Sequence, residues 1–245
     1  TFDDMVATHP DFKKGWEKYN QVYLTNLAVL DSYNMFFKKP ITSLAGLKGK
    51  KIAAAGLNMR YLKNTGAKGV GGSLVGYYNK LKTGVVDGAM VWAEAAVIFK
   101  IVEVAPHMMR ASLGTVNSKA ITVNAKTWKK LPNEVQQALQ AAAIIYRDGT
   151  SKDVGSRSKV MYKKFAKKGG KITPLSQAQR EAWANSMPNV AKDWAASLEK
   201  KGIAGKKILV DYMGRMRAAK QPIIRQWDKE QPHERSGHPP DGRNN

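Results

Sequence analysis

The sequence predicts an α/β fold, on two observations. Short runs of strand formers alternate with short helical patterns over residues 40–124, the signature of strands covered by helices. A much longer helical pattern follows over residues 132–168, where Val135, Leu139, Ala142 and Tyr146 keep one face and Val154, Met161 and Phe165 resume the stripe.

The elements follow in order. Phe12, Trp16, Tyr19 and Tyr23 recur at i, i+4, i+7 and i+11, which predicts an amphipathic helix over 11–23. Residues 26–37 are rich in strand formers. Ser43 opens a short capped turn, 51–55 reads as a strand closed by Gly56, and 58–65 as a short helix stopped by Gly66. A helix is predicted over 74–82, ended by Gly84. A strand over 85–92 is interrupted at Asp87-Gly88, a helix over 94–104 ends before Pro106, and a strand covers 111–123. Within the long helix, the polar stretch 147–153 around Gly149 predicts a kink or break. Ser176 and Gln179 form a capping-box pattern, and further helices are expected over 190–200 and 208–225. Both ends, 1–8 and 231–245, are expected to pack poorly, and the polar stretch after Trp227 to be disordered.

Charge is the unusual feature. Forty-one Lys and Arg against 19 Asp and Glu give +22, a field that favours anionic partners. The residues from Lys229 to Asn245 are neutral in sum, so the excess lies in the body. It is spread in pairs such as Lys50-Lys51 and Lys163-Lys164. Spread pairs suit a solvated surface better than a nucleic-acid groove.

Chemical motifs are scarce. There is no cysteine, so disulfides, thiolate metal sites and cysteine nucleophiles are excluded. His9, His107, His233 and His238 have no partners at metal-ligand spacing. Neither Gly-x-Ser-x-Gly nor His-Glu-x-x-His occurs. Asp87 and Glu94 could share a neighbourhood, but Asp87 before Gly88 more simply makes a turn. The glycine-rich stretch 66–73 lacks a phosphate-loop ending, and Ser73 reads more simply as a helix cap than as the start of an anion site. No cofactor motif is found, and no apolar run is long enough to span a bilayer.

Five strings, in order, resemble the DctP-type solute-binding proteins of TRAP (tripartite ATP-independent periplasmic) transporters. They are Pro-Ile-Thr-Ser-Leu-Ala-Gly-Leu-Lys-Gly-Lys-Lys-Ile from Pro40, Thr-Gly-Ala from Thr65, Tyr-Asn-Lys-Leu-Lys-Thr-Gly-Val-Val-Asp-Gly from Tyr78, Phe-Lys-Ile-Val-Glu-Val-Ala from Phe99, and Val-Asn-Ala-Lys-Thr-Trp-Lys-Lys-Leu-Pro from Val123. The resemblance implies a two-lobed, periplasmic-binding-protein-like α/β fold with a long kinked inter-domain helix. It implies an incomplete first lobe, since the family carries more chain before the segment aligned with Pro40. The implied division is 1–39 as remnant of the first lobe and crossover, 40–118 as second ligand-binding lobe, 119–228 as crossing strand, long helix and C-terminal helices, and 229–245 as tail.

The implied function is not enzymatic. It is that of a periplasmic receptor that captures an organic acid, aromatic acids included, and delivers it to a TRAP membrane permease, with no nucleic acid partner expected. The family's Arg clamp for the ligand carboxylate falls on Ala53, and its Glu-Asn-Pro after Asp-Gly falls on Met90, Val91 and Trp92, with Ala89 before them. A second basic pocket position aligns near Tyr33, and Gly76 stands before the helical tyrosines Tyr77 and Tyr78. The expected ligand-binding residues are therefore Tyr33, Ala53, Arg60, Tyr77, Val91, Trp92 and Asn117, with Arg60 as substitute cation. The alternatives are a truncated remnant that binds nothing and, on charge alone, a basic protein associated with nucleic acid.

Overall fold

The computed structural model describes residues 2–27, 32–114 and 119–230. In chain order the elements are α1 (Phe2–Thr8), α2 (Pro10–Glu17), β1 (Gln21–Leu27), β2 (Asn34–Phe37), β3 (Lys51–Ala53), β4 (Lys68–Val70), α3 (Tyr77–Lys82) and β5 (Gly88–Val91). Then come α4 (Ala93–Ile98), α5 (Ile101–Val104), β6 (His107–Arg110), β7 (Lys119–Asn124), α6 (Ala125–Lys130), α7 (Asn133–Lys167) and β8 (Lys171–Pro174). The last three are α8 (Gln177–Ser186), α9 (Val190–Glu199) and α10 (Gly205–Ala218). Short 3-10 turns cover Leu44–Leu47, Gly56–Leu62 and Leu74–Gly76. The chain divides into two compact units, Thr1–Val190 and Ala191–Asn245.

The first unit is built on a six-stranded sheet in the order β4-β3-β5-β2-β6-β8. β3 is parallel to β4 and β5, and β6 is parallel to β8, while β2 is antiparallel to both β5 and β6. β2 therefore runs against the other five. The carboxyl ends of those five and the start of β2 share one edge, where ligands bind in open α/β sheets. One face of the sheet carries Phe36, Ala53, Ala89, Val91 and Met108 into a core with Tyr77, Leu81, Ile101 and Phe165. The Phe36 and Phe165 rings meet edge to face at 5.4 Å. α7 thus closes this face with its last turns.

A separate two-stranded ribbon pairs β1 with β7, antiparallel from Gln21↔Asn124 to Leu27↔Lys119. α7 also packs on β1 and α4, so it links the ribbon to the six-stranded sheet.

Several sequence expectations are corrected. The helix expected over 11–23 stops at Glu17. Asn20 adopts a left-handed φ of 57°, and Tyr23 lies in β1. Pairing with β7 overrides the helical spacing of the aromatic residues, yet Trp16 and Tyr23 still stack, at 6.0 Å. The strand expected over 85–92 begins only at Gly88, because Asp87 makes the turn: its N–H donates to Lys51 O, and its Oδ2 accepts from Lys51 N, both at 2.8 Å. Gly88 itself admits no side chain, since a Cβ would lie 2.6 Å from the Phe37 ring and 2.9 Å from Phe36 O. The helix over 94–104 is split at Lys100, which has φ 56°. Of the strand expected over 111–123, among the described residues only the part from Lys119 is strand, in β7; β6 ends before it at Arg110, and Ser112 and Gly114 take left-handed φ of 51° and 79°.

The expected break near Gly149 does not occur. α7 is continuous over its 35 residues, Gly149 and Gly155 included. A glycine costs about 1 kcal/mol in a helix interior, too little to interrupt a long run of backbone bonds. Thr150 Oγ1 adds bonds to the Tyr146 and Arg147 carbonyls, each 2.9 Å. The chain start is not loose either: α1 buries Met5 and Val6. Residues 231–245 lie outside the described residues. Among the described residues no helix is long and apolar enough to cross a membrane.

In the second unit α9 and α10 bury Ala195, Leu209 and Met213, flanked by Ala191, Trp194, Ile223 and Trp227. A Cβ on Gly205 would lie 2.2 Å from Ala195 O, so the start of α10 requires glycine to approach α9. Arg217 grips Asp228 with two bonds of 3.1 and 2.7 Å, and Arg225 grips Glu230 with bonds of 2.5 and 2.7 Å while lying 4.2 Å over the Trp227 ring.

Candidate functional site

The edge described above is formed by Tyr33 before β2, Ala54 after β3, the Gly71-Gly72-Ser73 loop after β4, Trp92 after β5 and residues 111–114 after β6. Tyr33 is fixed there by its backbone. Its N–H donates to Gly114 O at 3.0 Å, and its carbonyl accepts from Leu113 N at 3.1 Å. Leu113 O in turn accepts from Tyr61 OH at 2.7 Å, and Tyr61 O accepts from Trp183 Nε1 at 2.9 Å. This chain of bonds ties the 3-10 turn after β3 and helix α8 to the loop beside Tyr33.

The Tyr33 ring is 5% exposed and meets the Trp92 ring edge to face, with centroids 5.7 Å apart. Trp92 is half-buried. Its Nε1 is shielded from solvent and has no hydrogen-bond partner among the described residues. The same holds for Oδ1 of Asn58, a 3% exposed residue on the 3-10 turn that follows β3, and for Nε of Arg180 on α8. A buried polar group left unpaired costs about 1–3 kcal/mol.

Tyr77, at the start of α3, is buried beside this pair. Burial, and then the neighbouring Tyr33, push its hydroxyl up to about 12, so it stays protonated at neutral pH. Its OH reaches Gly72 O at 3.4 Å, and Lys80 Nζ donates to Gly71 O at 2.7 Å. Two carbonyls of the glycine loop are therefore engaged by donors of the protein itself. The turn after Ser73 is 3-10, and the Ser73 side chain caps nothing. The expected Ser73 helix cap is thereby corrected, since a single 3-10 turn precedes α3.

On the next strands Asn34 is fully buried and fully used. Its Nδ2 donates to Ser32 O and to Tyr162 OH, both at 3.0 Å, and its Oδ1 accepts from Ser112 N at 3.1 Å. Arg110, the exposed last residue of β6, places its guanidinium 4.6 Å over the Tyr162 ring, a cation–π arrangement. Glu94, at the start of α4, is occupied by Arg157 of α7 at 2.5 Å.

Of the residues expected from sequence, Tyr33, Tyr77 and Trp92 come together at this edge. Ala53 and Val91 lie just beneath it, at 0% and 1% exposure in the core cluster. Ala53 offers neither charge nor hydrogen bond where a clamp was expected. Arg60 sits half-buried on the 3-10 turn Gly56–Leu62, and no ion pair among the described residues includes it. Asn117 lies outside the described residues. Sequence reasoning missed Asn58, Asn34 and the Arg110–Tyr162 pair. An asparagine heading the apolar run Asn-Met-Phe-Phe was the one visible signal. A separate open concavity of about 290 Å³ is bounded by Tyr78, Ile98, Phe99, Lys100 and Glu103 and includes none of the expected residues. Among the described residues no group of three or more His, Cys, Asp or Glu could hold a metal ion. Among the described residues the edge thus presents the aromatic surface of Tyr33 and Trp92 with the unpaired Trp92 N–H. Such a set is suited to holding a ligand.

A model of the family described as bacterial extracellular solute-binding protein, family 7 (DctP) matches residues 13–200. None of the curated proteins matches the chain. Among solved structures, the chain is similar to the ectoine-binding protein of the TeaABC TRAP transporter of Halomonas elongata, at 23% identity, with TM-score 0.74 and coverage of 84% of this chain and 66% of that one. It is also similar to a TRAP periplasmic solute-binding protein of Desulfovibrio salexigens with bound orotic acid, at 21% identity and TM-score 0.74, covering 85% and 67%. A third, from Sulfitobacter sp. NAS-14.1 with bound β-D-galacturonate, has 19% identity and TM-score 0.70, covering 82% and 65%. The chain spans about two thirds of the length of these proteins, and it has their α/β fold with its long helix.

Proposed function

We propose, from the premise that the chain belongs to bacterial extracellular solute-binding protein family 7, that it is a periplasmic receptor which binds an organic acid and passes it to a TRAP membrane permease, without catalysing a reaction. The observation that carries this reading is the aromatic edge of the six-stranded sheet, where Tyr33, Tyr77 and Trp92 gather around an unpaired N–H. In this reading the six-stranded sheet, made by β2, the strands of residues 40–114 and β8, carries the ligand, and the separate β1–β7 ribbon with α7 makes the connection.

The ligand class follows from what the edge lacks. Ala53 provides no forked, charge-assisted bond, which is about twice as strong as a neutral one. Aromatic stacking against Tyr33 and Trp92 contributes about 0.5–1.5 kcal/mol per ring pair beyond area burial. A monocarboxylate with an apolar or aromatic body is therefore preferred over succinate or malate.

The test is a thermal-shift panel on the purified chain with benzoate, phenylacetate, mandelate, succinate, malate and galacturonate. Ligand binding stabilises the folded chain by RT ln(1 + [L]/Kd), so the midpoint rises with the logarithm of ligand concentration above Kd. Stabilisation is expected from aromatic monocarboxylates first. Stabilisation by the C4 dicarboxylates alone would remove the pocket argument, and none from any acid at millimolar concentration would remove the receptor reading.

A further inference from the structure

The first half of α7 exposes an apolar face. Residues 135–146 carry no charged side chain. Val135, Leu139, Ile144, Ile145 and Tyr146 are exposed there at 37, 37, 44, 72 and 58%, with Ala138, Ala141 and Ala142 exposed among them. The inner side of this stretch is already used. Gln136 Nε2 donates to Trp128 O at 3.1 Å and to Leu131 O at 3.0 Å, Ala143 is buried, and Arg147 holds Asp3. Val135, Leu139, Ala142 and Tyr146 form a second stripe beside it, spaced by four, three and four residues, the repeat by which two helices pack along a seam. Monomeric proteins rarely expose a contiguous apolar patch above a few hundred Å². The residues after Glu230 offer nothing to cover it, since 231–245 contain no apolar side chain besides three prolines.

We propose that a second copy of the chain docks on this stripe, the two α7 helices packing antiparallel about a two-fold axis between residues 140 and 141. Charge favours this place. Each copy carries +22, so most of its faces repel another copy. The stretch 135–146 lets two copies approach without setting like charges face to face. At its ends the antiparallel register brings Glu134 of one copy to the level of Arg147 in the other, opposite in sign. Shape favours a copy as well, because the stripe is complementary to itself. About that axis Val135 stands opposite Tyr146 and Leu139 opposite Ala142, large against small, as an isologous contact requires. Twelve helical residues are about 18 Å long. The contact therefore lies at the low end of specific interfaces, near or below about 1,200 Å², and a Kd of about 10–100 µM is expected. It uses none of the residues at the ligand edge, so it stands or falls apart from the receptor reading.

The experiment is analytical ultracentrifugation of the full chain, without ligand, from about 5 to about 300 µM. A monomer–dimer equilibrium is expected. It is expected to tighten at least about threefold from about 50 to about 500 mM NaCl, because salt screens the repulsion between the two copies and leaves the apolar contact in place. Leu139→Glu and Ala142→Lys each put a charge on the seam and are expected to weaken association at least about tenfold. Both positions are exposed and both new residues are good helix formers, so an unchanged thermal midpoint of each dilute variant shows that the fold is kept. Mixing the two variants sets the introduced carboxylate opposite the introduced ammonium across the axis, with the native Ala142 and Leu139 at the other contact. The mixture is expected to associate at least about tenfold more tightly than either variant alone. A chain that stays monomeric at every concentration leaves the face to another polypeptide or to lipid and overturns the proposal. So does association that weakens as salt rises, that survives both substitutions, or that mixing fails to restore.

Discussion

Asp3 Oδ2 accepts an ion-paired hydrogen bond of 2.7 Å from Arg147 Nη1, which joins the first helix to the middle of α7 across 144 positions of sequence. The same carboxylate accepts from Tyr23 OH, from Thr25 Oγ1 at 2.9 Å and from Asn26 N at 2.9 Å. One side chain thus binds α1, β1 and α7 together where the ribbon meets the long helix.

Removing that charge is expected to loosen all three. Burial by itself would push the Asp3 carboxyl up, but the bonds from Tyr23, Arg147, Thr25 and Asn26 outweigh it and hold the group below its ordinary value. Burial, then the bond to Asp3, push the Tyr23 hydroxyl up, so it remains a donor. A carboxyl whose value is depressed in the folded protein stabilises it fully above the unfolded value of about 4 and progressively less as pH falls below that. Asp3→Asn is expected to cost about 2 kcal/mol at pH 7, the scale of hydrogen bonds to a charged group, and to flatten the acid limb of stability below about pH 4. Urea denaturation at pH 7 and pH 3 measures both. An equal loss at the two pH values would contradict the assignment.

The long helix offers the opposite sign. Gly149 and Gly155 lie within α7, and a Cβ at either would meet nothing within 4 Å. Substituting alanine at a compatible helical position stabilises by about 0.4–1 kcal/mol through the unfolded chain. Gly149→Ala and Gly155→Ala are each expected to raise the denaturation midpoint by that amount, additively. A loss of stability would show that one of these glycines serves a bend.

Gly205 is the contrasting case. A Cβ there would lie 2.2 Å from Ala195 O and 2.8 Å from Leu198 Cβ, and a backbone oxygen cannot step aside as a flexible side chain can. Gly205→Ala is expected to destabilise the Ala191–Asn245 unit by about 1–3 kcal/mol, the usual cost of overpacking. Hydrogen exchange of the α10 amides reads it locally. Unchanged protection would mean that α9 and α10 separate at no cost.

These contrasts show what was legible in the sequence. The alternation of strands and helices, the long helix, the capping box at Ser176 and the aromatic grouping of Tyr33, Tyr77 and Trp92 were readable because each is a local pattern or a matched string. The capping box forms as expected, with Gln179 N to Ser176 Oγ at 3.2 Å and Ser176 N to Gln179 Oε1 at 2.8 Å. What was not readable depends on pairing at long range. Tyr23 left its helical register because β1 finds β7 a hundred positions away. Helix α1 looked loose because its anchor, Arg147, is remote in sequence. Gly149 looked like a break because composition does not reveal that one glycine costs less than a lost turn. Asn58 looked like an ordinary polar residue of a short helix, because an unpaired atom is a property of surroundings that no spacing records.

Asn34 and Tyr162 give the last prediction. Asn34 is fully buried at the head of β2, and its amide reaches Tyr162 OH on α7 and Ser112 N after β6, across separations of 128 and 78 residues. Asn34→Leu keeps the branching and heavy-atom count and removes these two bonds and the one to Ser32 O, leaving the Ser112 N–H without its acceptor. The expected loss is about 1–3 kcal/mol for each buried group left unpaired. Tyr162→Phe removes only the hydroxyl, while the ring can still carry the Arg110 guanidinium above it at 4.6 Å. If the Asn34–Tyr162 bond transmits the packing of α7 to the start of β2, the two substitutions couple: the double variant is expected to lose less than the sum of the single losses by at least about 0.5 kcal/mol, the level at which contacting residues depart from additivity. Chemical denaturation of the four proteins in the cycle supplies the number. Strict additivity would mean that α7 is held by its apolar packing, Phe165 against Phe36 included, and that the bond between Asn34 and Tyr162 is incidental to the geometry of the edge that Tyr33 and Trp92 occupy.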